Sequence, residues 1–451
     1  MKKTKLDTGF GSLQWFIFLI ANSLTIPIIV GQVFQLSPLE ISGLMQRTFL
    51  VVGVSSLLSG WLGHRLPIPD GPAGIWLGVF TLMGQMAVVQ GIDKAGGSLQ
   101  LLEGAMLLTG IILIIVGLTG WMNKLLKLFT PLVNGVYLTI LGFQLSGMFL
   151  KGMIGGSDKS TKIQPGIVIL SFAIFILVLA LSVWGKGWLK SYAVLIGMVV
   201  GSIAFILFFG SQPMPKTSSI ISLPDVFAWG MPKLDAGMFV SSIMVTFVLI
   251  SSIIASVAAM KQVFSEKANE STPALEMRKE GSLKSSGIIS GIGTILSSVF
   301  STVGVVPFSV AAGFVRMTGQ SRMLPFYIAS ISLAAISFFP KVYSLFAMLP
   351  GPIAYAAMLA SFTSMAGIGI SSVLKEPLDQ RRLTILSTAL SLGTGVMFLP
   401  QAVFSALPTV LQYVFSNGVM VGMLVALIFE QIWRPKKVEM KIKNKDNEIA
   451  V

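Results

Sequence analysis

Apolar residues in this chain come in long unbroken runs rather than in two-residue alternation. Fourteen such windows, set apart by short polar or Gly/Pro-rich breaks, lie near 13–31, 43–63, 71–90, 100–120, 129–150, 165–184, 188–211, 236–260, 285–301, 304–317, 322–339, 342–366, 382–399 and 407–431. Most are long enough to cross ~30 Å of hydrocarbon as a helix. Only helices and closed barrels satisfy their own backbone in lipid, and runs of this length select the helix. The pattern therefore predicts an all-α polytopic membrane protein with fourteen transmembrane segments. The tenth window, "GVVPFSVAAGFVRM", is too short to cross as a helix alone.

The breaks themselves are patterned. The third window is entered through "LPIPDGPAGIW" (Leu66 to Trp76), and the tenth, seven windows later, through "STVGVVPFSVAAG". Interrupted short segments at matching places in two halves are the mark of inverted repeats with discontinuous helices. Seven is odd, so the second copy inserts upside down, and the chain reads as a 7+7 inverted repeat. Unwound backbone at mid-depth is tolerated where it is packed in protein or lines a cavity. Its freed N–H and C=O groups, with the helix N-terminus that follows, can bind a polar solute.

Composition and charge sharpen this picture. The chain has 451 residues, 54% hydrophobic and 11% charged, with a mean hydropathy of +0.84. With the N-terminus inside, 24 of the 32 Lys and Arg residues fall on the cytoplasmic side, as the positive-inside rule requires for fourteen crossings with both termini cytoplasmic. The net charge of +14 is spread over alternate loops, which argues against a nucleic-acid partner. Zero cysteines exclude disulfides, thiolate nucleophiles and Cys-ligated metal. The one histidine, His64, reads as a solvated loop residue. Nothing calls for a metal, a cofactor or an enzyme's catalytic residues. The opening "MKKTKLDTGFGSLQWF" is basic then apolar without a small-residue cleavage site, so it reads as a short cytoplasmic N-terminus (1–12) and a retained first helix. Glu266, Glu270, Glu276 and Glu280, interleaved with Lys and Arg, mark a charge-balanced linker. The tail from 432 to 451 is a basic end suited to anionic headgroups.

Several residues carry candidate chemistry. Asp70 either caps the half-helix beginning near Pro72 or supplies a titrating carboxylate beside the unwound strand. Backbone N–H groups of Ala73, Gly74, Ala311 and Ala312 are candidate donors to a solute. Ser252 and Ser256 lie one turn apart on one face of span eight; each either bonds back to its own helix or meets a substrate edge. Gln14 and Asn22 face inward from span one, with packing the favoured role. All eighteen Asp and Glu residues fall in loops, tails or span ends. Asp70 is the acid closest to the centre.

At these residues the chain resembles the nucleobase–ascorbate transporter family, the xanthine and uracil permeases. "LQWFIFLIANSLTIPIIVG" resembles the family's opening helix, with Gln14 in place of its Gln-His pair and Pro27 and Gly31 at the family spacing. Pro67 and Gly71 match the Pro-x-x-x-Gly-x-x-Phe stretch of the third span. "FSVAAGFVRMTGQSR" resembles the signature of the xanthine-type branch, with Ser309, Gly313, Thr318 and Gly319 in register and Ser321 and Arg322 fitting after a one-residue deletion. The resemblance runs over nearly the whole chain.

It implies a core domain from segments one to four (13–120) and eight to eleven (236–339). It also implies a gate domain from segments five to seven (129–211) and twelve to fourteen (342–431), and short β-strands in segments three and ten. It further implies a nucleobase as substrate, alternating access, proton or other cation coupling, a plasma-membrane location and a homodimer through the gate. The departures are specific. The family's span-eight Glu, which contacts the base, is replaced by Ser252, or Ser251 if the register shifts by one. Val310 and Ala311 stand where segment ten carries Glu-Asn or Gln-Asn, and Gly74 where segment three carries Phe. The implied site therefore comprises Gln14, Asp70, Gly71, Pro72, Ala73, Gly74, Ser251, Ser252, Ser256, Ser309, Val310, Ala311, Ala312 and Gly313, with Asp70 as the proton-coupling candidate. An anion transporter of the same fold, or a membrane protein that binds a ligand without moving it, are the alternatives.

Overall fold

The structure is a computed structural model describing residues 2–90, 95–122, 124, 128, 130–154, 164–210, 219–268, 282–404 and 407–433. The linker acids Glu270, Glu276 and Glu280 and the tail from 434 lie outside the described residues.

The first half runs α1 (Lys2–Ser23), α2 (Thr25–Val33), α3 (Pro38–Trp61), β1 (Asp70–Pro72), α4 (Gly74–Gln90), α5 (Ala95–Thr119), α6 (Pro131–Met153), α7 (Pro165–Trp184), the single turn α8 (Trp188–Ser191) and α9 (Ala193–Phe209). The second half runs α10 (Ala236–Ala268), α11 (Leu283–Val299), β2 (Val305–Pro307), α12 (Val310–Thr318), α13 (Met323–Ile336), α14 (Pro340–Ala347), α15 (Gly351–Val373), α16 (Gln380–Met397), α17 (Thr409–Phe415) and α18 (Gly418–Ile432). Among the described residues seven helices are long and apolar enough to cross a membrane, or eight if the bent pair α13–α14 is one span.

Helix starts follow local chemistry. Ser37 and Glu40 form a reciprocal capping box before α3, Thr130 caps α6 ahead of Pro131, and Asp379 accepts from the Arg382 N–H at the start of α16. Such caps satisfy the N–H groups a helix leaves orphaned. Several boundaries differ from the sequence reading: the first helix already starts at Lys2 and breaks at Leu24, the seventh window breaks at Tyr192, and two later windows are divided. The twelfth window, expected at 342–366, is divided: α14 turns 90° from α13, and α15 begins only at Gly351, with prolines at Pro340 and Pro350 setting the two starts. The fourteenth, expected at 407–431, is interrupted at Asn417, whose side chain caps α18.

The packing repeats across the two halves. Helix α5 lies on α10 and α11 just as α13 lies on α1 and α3. Helices α7 and α9 pair as α16 and α18 do, and α6 pairs with α15, its own counterpart. Strand β1 lies on α3 as β2 lies on α11. The two strands pair antiparallel, in the register Asp70↔Pro307, Gly71↔Val306 and Pro72↔Val305, as a twofold axis between them demands. Small residues let the helices close: a Cβ on Gly135 would lie 2.6 Å from the Gly369 carbonyl oxygen, which is the way membrane helices reach close contact.

Residues 219–235 form a strap from α9 to α10 across the ends of other helices. Ser222 N–H donates to the Phe338 carbonyl at 3.0 Å, Phe227 N–H to Val299 at 2.8 Å and Lys233 N–H to Gln100 at 3.0 Å. Trp229 meets Phe80 of α4 edge-on, with centroids 5.8 Å apart.

Candidate functional site

The two broken segments meet at a crossing built almost wholly from backbone bonds. Beyond the strand pair, Ala73 N–H donates to the Gly304 carbonyl at 2.9 Å and Phe308 N–H to Pro69 at 2.9 Å. Pro72 and Pro307 have no N–H to offer a ladder, so each strand ends there, and α4 and α12 begin within three residues. Gly71 is required by packing, because a Cβ would lie 2.2 Å from the Phe308 ring.

Helices on either side anchor the crossing. Ser59 Oγ of α3 donates to Asp70 Oδ2 at 2.6 Å, and the Asp70 N–H donates to Ser56 Oγ at 2.9 Å. Ser256 Oγ of α10 lies 2.8 Å from both the Ser252 and the Pro307 carbonyls. Asp70 is 1% exposed, and its Oδ1 has no partner among the described residues.

This arrangement corrects several expectations. The hydrogen bonds of Asp70 run to α3, so it braces β1 and does not cap α4. Ser256, 2% exposed, is bonded to its own helix and to β2. The N–H groups of Ala73, Ala311 and Ala312 are engaged, the last two with the carbonyls of Phe308 and Ser309 at 3.2 and 3.1 Å, so these three are not free donors. His64 is 2% exposed. Its Nδ1 accepts from the Leu66 N–H at 3.1 Å, and burial pushes the imidazole down to about 3.

Other predicted positions are less enclosed. Ser309, Val310 and Gly313 are exposed, and Ser251, Ser252, Gly74 and Gln14 are half-buried. A Cβ on Gly313 would meet nothing within 4 Å. Ser251 Oγ donates to Asn134 Oδ1 of α6 at 2.9 Å, joining α10 to the facing helix. Gln14 stands beside Trp15, whose ring lies 4.5 Å from that of Phe314 on α12, and the Gln14 Oε1 is buried without a partner among the described residues.

Three features were missed by the sequence reading. A small cleft, with room for little more than a water molecule, lies between α4, α6, α10 and α18, lined by Ile75, Val79, Tyr137, Gln144, Val248 and Asn417 among others. Phe362 of α15 faces Gly74, its Cζ 3.0 Å from where a Cβ there would stand. Glu103, a span-end residue by its sequence position, is fully buried in α5. One of its carboxyl oxygens accepts from Ser301 Oγ, and Arg47 Nε donates to the Ser301 carbonyl at 3.2 Å. A lone acid near the start of a window carries no periodicity signal that could flag it.

Comparison with known proteins agrees with this architecture. Residues 6–402 match the Permease family profile, Xan_ur_permease. The chain is 30% identical over 436 residues to the "Putative purine permease YwdJ" of Bacillus subtilis (strain 168), covering 95% of this chain and 96% of that one. It is 24% identical to the "Xanthine permease" of the same organism, covering 99% and 100%. Its identity to that organism's "Uric acid permease PucK" is 25%, covering 94% and 95%. Among solved structures, the transmembrane domain of the cyanobacterium bicarbonate transporter BicA matches with a TM-score of 0.59 at 16% identity, covering 94% of this chain and 97% of that one. That likeness concerns the fold.

Proposed function

We propose, for a chain that belongs to the xanthine/uracil permease family, that the cargo is a purine or pyrimidine nucleobase moved by alternating access. The relatives of similar length are named for purines, xanthine and uric acid, and the chain is a multi-pass membrane protein. The observation that carries the reading is the crossing: two half-helices start back to back from a paired strand, beside a face where Ser309, Val310 and Gly313 are open.

In this reading α1–α5 with β1 and α10–α13 with β2 form the core, and α6–α9 with α14–α18 the gate. The core shifts against the gate around a base held near Gly74, Ser251, Ser252, Ser309, Val310 and Gly313. Hydroxyls donate and accept, which suits the mixed edge of a neutral heterocycle. Asp70, Gly71, Pro72, Ala73, Ala311, Ala312 and Ser256 then hold the site's backbone in place, and Gln14 lines its side. Fourteen crossings with both termini cytoplasmic suit the basic-residue bias, in a protein of the plasma membrane.

Asp70 is the residue for proton coupling. Among the described residues no cation pairs with its carboxyl group, and an unpaired carboxylate in such a place is costly enough to favour carrying a proton. Uptake of labelled xanthine, urate, guanine and uracil into cells making the protein, with and without an uncoupler, tests the reading. Saturable uptake of at least one base, reduced by the uncoupler, is expected. No saturable uptake of any base contradicts it, and inhibition by sulfate or bicarbonate alone favours an anion carrier.

A further inference from the structure

Helix α6 carries a single amide side chain in its first turn, Asn134, and the fold brings it to the helix beside the crossing. Thr130 caps α6 ahead of Pro131, and the Asn134 N–H donates to the Thr130 carbonyl at 3.0 Å. Helix α15 is pressed on the same stretch. A Cβ on Gly135 would lie 2.6 Å from the Gly369 carbonyl oxygen, and Ser372 Oγ donates to the Pro131 carbonyl at 3.1 Å. The backbone under Asn134 is thus fixed, and its side chain reaches α10, where Oδ1 accepts from Ser251 Oγ at 2.9 Å. Ser251 adjoins Ser252, whose carbonyl lies 2.8 Å from Ser256 Oγ, and that hydroxyl lies 2.8 Å from the Pro307 carbonyl of β2. A short run of bonds therefore joins the Asn134 amide to the crossing. Asn134 and Ser251 are both half-buried, so the pair is within reach of a solute.

We infer that Asn134 is a specificity-determining residue: its amide reads the hydrogen-bonding edge of a base held beside Ser251 and Ser252. The inference rests on the nucleobase reading and adds to it the residue that chooses among bases. An amide sets a donor beside an acceptor in one plane. That is the complement of a ring N–H next to a carbonyl, which xanthine, urate and uracil all present. Asn matches base edges in the same two-bond way when proteins read nucleic acids. The amide oxygen has two lone pairs, so it can hold the Ser251 hydroxyl and a ring N–H together. Serine hydroxyls turn to suit either kind of partner and so hold a base without selecting it. The planar amide, steadied by Ser251, sets which edge fits.

Changing the edge pattern at this position tests the inference. Proteoliposomes of the wild type, N134A, N134S and N134D are compared after gel filtration and thermal unfolding verify each fold. Uptake of whichever labelled base the wild type carries is measured, and is then inhibited with unlabelled uracil, xanthine and guanine. N134A should raise the half-saturating concentration roughly tenfold, with the maximal rate within about twofold of wild type, and N134S should fall between the two. N134D presents two acceptors and no donor. A carboxylate suits guanine, whose ring N–H and amino group are neighbouring donors, and leaves the carbonyl of uracil unmatched. The ratio of the uracil to the guanine half-inhibitory concentration should therefore rise at least tenfold over wild type, whereas a purely structural Asn134 would weaken both bases alike. Wild-type saturation in N134A and N134S, or an N134D that changes uracil and guanine by the same factor, overturns the inference while leaving the nucleobase reading intact. A wild type that takes up no base removes both.

Discussion

The hydroxyl of Ser59 and the carboxyl of Asp70 lie 2.6 Å apart, and this bond ties the first unwound strand to the preceding helix. Ser56 completes the clamp from one turn earlier by accepting from the Asp70 N–H. Among the described residues, of the two carboxyl oxygens only Oδ2 has a partner, so the group is positioned by its neighbours without being neutralised.

Substituting these two residues should give opposite signatures. In S59A the carboxyl loses its donor in a buried place, which costs about 1.5–3 kcal/mol and lowers the unfolding temperature of the purified protein. D70N keeps an oxygen for Ser59 to donate to, so its unfolding temperature should stay close to wild type. Its accumulation of base under an inward proton gradient should fall to the level of equilibration. D70N uptake that still follows the gradient would leave Asp70 a brace only.

Ser256 does for β2 what Ser56 and Ser59 do for β1. Removing its hydroxyl in S256A leaves the Pro307 carbonyl unsatisfied in the interior, a loss of about 1 kcal/mol or more. Thermal unfolding should register this, and S256T, which keeps the hydroxyl, should recover most of it.

The strap makes a separate stability prediction. A methyl on Gly104 would stand 1.9 Å from the Lys233 carbonyl oxygen, and backbone cannot step aside as a flexible side chain can. G104A should displace residues 219–235 from α5 at a cost of about 1–3 kcal/mol, seen as a lower unfolding temperature and faster proteolysis within the strap.

His64 makes the pH prediction. Its imidazole sits at about 3 in the fold against 6.5 when unperturbed, so between those values the unfolded chain binds a proton that the folded chain does not. Stability contributed by neutral His64 is therefore complete above about 6.5 and declines as pH falls toward 3, by up to about 1.4 kcal/mol per unit. Unfolding temperatures measured from pH 7.5 to 4.5 should fall less steeply in H64N than in the wild type; parallel slopes would contradict it.

Much of the fold was legible because lipid imposes it. Window length marked the helices, and the Pro/Gly breaks at 66–76 and 301–313 marked the crossing, since no other residues interrupt a buried helix so cheaply. The anchors were not legible. Ser59 and Ser256 are two small polar residues among many in apolar helices, and what distinguishes them is a bond to a residue 11 or 51 positions away. The same holds for Glu103 and Ser301, 198 positions apart, and for His64, whose exposure depended on how the next turn folds back over it. Helix-start logic points to free N–H groups at Ala73, Ala311 and Ala312, but the strand crossing and tight first turns use them internally.

Gly313 is where the account is most exposed to a single experiment. It lies on the open face of α12 with nothing within 4 Å of an added Cβ, so G313L should leave the fold and unfolding temperature intact, or slightly improved by helix propensity. The measurement is saturable uptake of labelled xanthine, urate, guanine and uracil by proteoliposomes of wild type and G313L. Saturable uptake of at least one base by the wild type, with at least a tenfold loss in a fully folded G313L, is the predicted result. No saturable uptake by the wild type, or a G313L that transports as well as the wild type, would contradict a nucleobase site at the crossing.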